Sequence, residues 1–100
     1  MQRATSHHGP LTRVEFSGVW TMDEFEPNKA MLADLEAAAP KQVEFDMSQV
    51  TAIDSAGIGM LILANDRLTK AKIGFRLVGA TGAVARILDV AKIRDIITIV

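Results

Sequence analysis

The chain has 100 residues, 49% apolar and 23% charged, which suits one compact domain with a buried core. Eleven basic and twelve acidic residues leave a formal net charge of −1, too balanced to point to nucleic acid or an anionic membrane as partner. The absence of cysteine excludes disulfides and thiolate metal sites or nucleophiles, and the longest apolar run, 56–64, is too short to cross a bilayer. The expectation is a cytoplasmic domain with no direct nucleic-acid contact and no membrane insertion.

In chain order, residues 1–10 are polar and close on Gly9-Pro10, which predicts a flexible N-terminal tail ahead of a single domain over 11–100. In "LTRVEFSGVW", Val14 and Phe16 alternate with Arg13 and Glu15, a strand pattern, and Gly18 marks a bulge or bend. A helix is expected within Glu26 to Ala39, with Met31, Leu32 and Leu35 on one face and Pro40 as its stop. Pro27 suits the first turn of that helix, so Thr21 to Glu26 reads as a separate turn.

"QVEFDM" is the clearest strand, because Val43, Phe45 and Met47 alternate with polar neighbours; a second short apolar pair, Ala52-Ile53, follows. Ser55 to Lys72 reads as a helix on length and on its polar second half. "IGFRLVG" gives another strand, "GAVARILDVAK" a helix with Val84, Ile87 and Leu88 inward, and "DIITIV" a last strand. Such alternation predicts an α/β layer structure with helices packed on a sheet.

The segment "IDSAGIG", Ile53 to Gly59, stands where a strand gives way to a helix. The first backbone N–H groups of a helix lack intrahelical partners and carry partial positive charge. Asp54 or Ser55 can cap them, and a phosphate placed there would be stabilised. Phosphorylating Ser55 would add roughly −1.5 to −2 charges beside Asp54, tolerable to the helix end but not to an apolar partner docked nearby. Gly57 and Gly59 each weaken the helix by up to about 1 kcal/mol relative to alanine. Either they let another backbone approach Ser55, or they let the helix pack tightly on its own sheet.

On a helical wheel Leu61, Ala64, Leu68 and Ala71 form the core stripe, flanked by Ile58 and Ile62. Met60 and Leu63 fall elsewhere, leaving the first two turns apolar nearly all round. Either neighbouring elements cover both sides, or part of that surface is a docking face for another protein, for which the adaptable side chain of Met60 is suited.

These residues resemble a known family. The stretch Asp46-Met47-Ser48-Gln49-Val50, then Ile53 to Gly59, then the strand Gly74 to Gly79 and the spacing of Val84, Ile87 and Leu88 are similar to the STAS domain of bacterial anti-sigma factor antagonists. The resemblance covers about the last sixty residues. It implies a STAS-type mixed β-sheet with helices packed largely on one side, and a partner-switching regulator of transcription that is not itself an enzyme. The unphosphorylated form would bind and sequester an anti-sigma factor that is an ATP-binding serine kinase. Phosphorylation of Ser55 would release it, and a phosphoserine phosphatase would reset the switch. The kinase would supply the ATP and magnesium, so the chain needs no cofactor of its own.

Asp54 matches the family's acid before the serine and is expected to cap the helix or orient the hydroxyl. Ala56, Gly57, Ile58, Gly59 and Met60 complete the expected partner surface. The family's first loop carries an acid where this chain has Thr21, with Asp23 two residues on; both are supporting candidates near the serine. A chain that stops at its last strand, without the terminal helix of many relatives, is also expected.

Other readings compete. Ser55-Ala56-Gly57 is half a nucleophile elbow, but Ile53 stands where its first glycine belongs, and the only histidines, His7 and His8, lie in the expected tail. That adjacent pair is a poor metal site for the same reason. A receiver domain phosphorylated on Asp46 would need paired acids after the first strand and a suitable late lysine. A non-phosphorylated accessory STAS subunit of a lipid-transporting ABC system would use the same helix face, though such domains more often have Thr or Gly at the serine position. "GATG", 79–82, reads as a strand-to-helix turn.

Overall fold

The computed structural model describes all residues from Met1 to Val100. Five strands form one sheet in the order β1-β2-β3-β4-β5: β1 (Gln2–His8), β2 (Leu11–Trp20), β3 (Gln42–Ile53), β4 (Gly74–Val78) and β5 (Thr98–Ile99). β1 runs antiparallel to β2, and every later neighbour pairs in parallel. The parallel strands are joined by α1 (Phe25–Ala38), α2 (Ser55–Lys70) and α3 (Gly82–Val90), with short 3-10 turns at Met22–Glu24 and Ile93–Asp95. Because each parallel crossover steps one strand in the same direction, right-handed connection places all three helices on one face of the sheet. This is the α/β layering expected from the alternation of elements, with the mixed sheet and one-sided helices that the STAS resemblance implies.

The alternating residues of the strands decide which face is which. Val14 and Phe16, Val43, Phe45 and Met47, and Phe75 and Leu77 are all buried in the apolar core. Aromatic rings step across three strands, with Phe16 to Phe45 centroids 4.8 Å apart and Phe45 to Phe75 centroids 4.7 Å apart, both edge-on, the geometry that ring quadrupoles favour. On the opposite face Arg13, Glu44 and Arg76 stand in one cross-strand row. Glu44 is 2% exposed and receives both guanidiniums at 2.6 Å, so the charge is buried yet paired on both sides.

Several expectations need correction. Residues 1–10 are not a flexible tail: Gln2 to His8 pair along β2, and Gly9, at φ 63, opens the two-residue turn between them. Its polar composition fits an edge strand, which leaves most side chains in solvent. Arg3 fixes it inward, reaching Glu24 at 2.6 Å and the buried Asn28 at 2.9 Å. The pieces 42–47 and 52–53 are one strand. β4 pairs only as far as Asp46, whereas β2 follows β3 to its end through two register shifts near Gly18, which interrupt the regular alternation. Ala71 lies beyond α2 and is exposed, not part of the core stripe. Ile87 is 36% exposed, whereas Val84 and Leu88 point inward as expected. The last strand is only Thr98–Ile99, because 93–95 forms a 3-10 turn.

Candidate functional site at the start of helix α2

The site forms at the carboxyl ends of β2 and β3, where parallel α/β sheets place ligand and partner sites. Trp20 pairs with Ile53, and the Asp54 N–H donates to the Trp20 carbonyl at 3.2 Å. That bond brings Thr21, next in the chain, beside the helix start. Asp54 is extended (φ −103, ψ −175), the conformation of an N-cap residue, and its carboxylate accepts from the Gly57 N–H at 2.9 Å. Ser55 is the first helical residue and is exposed. Since Asp54 does the capping, the Ser55 hydroxyl is free for chemistry, at the positive end of a 16-residue helix.

The two glycines separate. A Cβ on Gly57 would lie 2.5 Å from Ile53 Cγ1 and 3.0 Å from both Trp20 Cδ1 and the Trp20 carbonyl. Gly57 is thus the close-packing glycine that seats α2 on the ends of β2 and β3. A Cβ on Gly59 would meet nothing within 4 Å, so that position lies on the open side of the helix.

Met60 is not on the open side. It is 6% exposed; its sulfur accepts from the Trp20 indole N–H at 3.1 Å and from the Asn28 amide at 3.5 Å. The expectation that Met60 meets a partner is therefore corrected: it is a core residue that satisfies two buried donors. The wheel alone does not reveal this, because α1 and the end of β2 cover that flank.

Of the other expected residues, Ala56 and Ile58 are half-buried against the core. Asp23 is exposed on the 3-10 turn Met22–Glu24, which packs against α2, and Thr21 caps that turn without a side-chain hydrogen bond. No group of three His, Cys, Asp or Glu side chains is placed to hold a metal ion, and no helix is long and apolar enough to cross a membrane.

A groove that sequence reasoning missed runs from the start of α2 to α3. It has a volume of about 450 Å³, a floor and walls from Ile53, Ile58, Ile87 and Val90, and Ser55 and Arg86 at its lining. Val90 is 79% exposed, the most exposed large apolar side chain of the chain. The pattern of α3 alone gives no signal for this, because the groove exists only once α3 lies beside α2.

The fold is thus a one-sided α/β sheet in which an exposed serine opens a helix beside an apolar groove. The chain belongs to the STAS domain family, whose model matches residues 12–100. Solved structures agree on the fold. An anti-sigma factor antagonist from Mycobacterium paratuberculosis superposes with a TM-score of 0.87 at 20% identity, over 98% of this chain and 83% of its own. The Bacillus cell fate determinant SpoIIAA in its phosphorylated form gives 0.73 at 9% identity, over 99% and 91%. A sulfate transporter family protein from Wolinella succinogenes gives 0.77 at 19% identity, over 88% and 71%. No curated protein sequence matches the chain.

Proposed function

We propose that this STAS domain is a phosphorylation-controlled partner switch that acts in transcription regulation. In the unmodified state it binds and sequesters an anti-sigma factor that is an ATP-binding serine kinase; phosphorylation of Ser55 releases that partner, and a phosphoserine phosphatase restores binding. The domain does no chemistry itself and works in the cytoplasm, with ATP and magnesium held by the kinase.

The observation that carries this reading is the exposed Ser55 hydroxyl, left uncommitted by the Asp54 cap and set against an apolar groove. Such a hydroxyl is reachable by a modifying enzyme. A phosphate on it is stabilised by the free N–H groups of α2, so the fold survives the modification. An apolar partner surface lying on Ile58 and Val90 would have to desolvate the same charge, and so dissociates. That one neighbour of this fold is known in a phosphorylated form supports the reading.

The test is intact-mass analysis of the chain isolated from its own cells. One added phosphoryl group is expected, mapped to Ser55 and lost in Ser55→Ala. Titration calorimetry against the copurified kinase should then show binding to the unmodified protein and at least a tenfold loss on phosphorylation, about 1.4 kcal/mol. Phosphate entering Ser55→Ala at the wild-type rate would overturn the assignment. A domain that never carries phosphate would fit an accessory STAS subunit of a lipid transporter instead.

A further inference from the structure

We infer that Arg86 on α3 receives the phosphate of phosphorylated Ser55, forming an ion pair across the groove. The inference rests on the reading of Ser55 as the modified residue and concerns what the phosphate then does. Of the six arginines, five already have partners within the chain: Arg3 with Glu24, Arg13 and Arg76 with Glu44, Arg67 with Glu36, and Arg94 with the Ile99 carbonyl. Arg86 alone makes neither an ion pair nor a hydrogen bond, and it lines the same groove as Ser55.

The charges around that groove give the pairing its direction. Only two charged side chains line it, Asp54 and Arg86. The Asp54 carboxylate is held at the cap by the Gly57 N–H, and it repels a phosphate on the next residue. Arg86 is the compensating charge within the groove, and a guanidinium matches a phosphate with two parallel hydrogen bonds. The pair bridges α2 and α3 over the apolar floor of Ile53, Ile58 and Ile87.

Phosphorylation then acts twice. It places charge at the contact face, and it engages the one guanidinium of the chain that has no internal partner. Arg86 is a positioning residue in this scheme; it takes no part in phosphoryl transfer.

The experiment uses the full chain with phosphoserine installed at position 55 during translation, so its outcome does not depend on any kinase. Phosphorus NMR follows the second ionisation of the phosphate in this protein and in its Arg86→Gln and Arg86→Lys variants. With Arg86 present, that ionisation is expected roughly one pH unit lower than in Arg86→Gln, with Arg86→Lys in between. The Arg86 Nε–H resonance should shift with the same midpoint. Identical phosphate titration in wild type and Arg86→Gln, with both proteins folded by their melting curves, overturns the inference. Failure of the partner-switch reading shows separately, as Ser55 that is never phosphorylated in cells.

Discussion

The indole N–H of Trp20, at the end of β2, donates to the sulfur of Met60, on the second turn of α2, at 3.1 Å. The Asn28 amide of α1 reaches the same sulfur at 3.5 Å, and Arg3 of β1 holds the Asn28 carbonyl oxygen at 2.9 Å. Three elements thus meet at one thioether, and β1 is tied to it through Asn28. A buried indole N–H without an acceptor loses its hydration for nothing in return, so the sulfur holds the start of α2 against the end of β2.

Replacing Met60 therefore acts on folding and not on docking. Met60→Leu keeps the volume and removes the acceptor; a loss of about 1–3 kcal/mol is expected from the unsatisfied indole. Met60→Glu buries a carboxylate beside Trp20 and should abolish cooperative folding or cost about 3 kcal/mol or more. Urea denaturation followed by Trp20 fluorescence measures both. A Met60→Glu protein with wild-type stability would show that the thioether is not enclosed.

Gly57 and Gly59 should respond to alanine with opposite signs. Alanine is the better helix former by about 1 kcal/mol at either position. At Gly59 the added methyl has free space, so Gly59→Ala should stabilise by about 0.5–1 kcal/mol. At Gly57 it meets Ile53 and the Trp20 carbonyl, and the backbone cannot yield without lifting α2, so a net loss of about 1–3 kcal/mol is expected. Thermal melts of the two variants side by side decide it, and equal shifts would refute the packing role of Gly57.

Asp54→Ala should destabilise the domain by about 1 kcal/mol through loss of the cap, and Asp54→Asn should recover most of it, because the amide oxygen still accepts from Gly57. Hydrogen exchange at the Gly57 amide gives the local readout: it should quicken in Asp54→Ala. Unchanged exchange would mean that the first turn is held by something other than the cap.

Glu44 lies between two guanidiniums on the open face of the sheet. Glu44→Gln leaves Arg13 and Arg76 flanking a neutral amide at 2% exposure. Breaking a fully buried pair costs about 3–5 kcal/mol. Here Arg13 and Arg76 are 37% and 39% exposed and can turn to water, so a smaller loss of about 2 kcal/mol is expected. Added salt should narrow the gap to wild type by screening the two arginines from each other. A gap that stays constant from low to high salt would place the loss in packing instead.

The period-two alternation of Val43, Phe45 and Met47, the apolar stripe Leu61, Ala64 and Leu68, and the Asp54-Ser55 boundary were legible in the sequence, because each depends on neighbours a few residues away. That Ser55 opens the helix follows from the same local rule; that its side chain is exposed, while Gly57 two residues on is buried, depends on what packs against that turn. What the sequence could not settle lies in contacts made at long range. Whether Gly57 serves a visitor or a close fit depends on Trp20, and whether Met60 faces solvent depends on Asn28. β1 looks like a tail until β2 is there to pair with it, since an edge strand needs few apolar residues of its own. Arg86 and Ser55 share a groove only after α3 has crossed back over the sheet. Local patterns determine which segments become strands and helices; side chains acquire their roles from what the crossovers bring beside them.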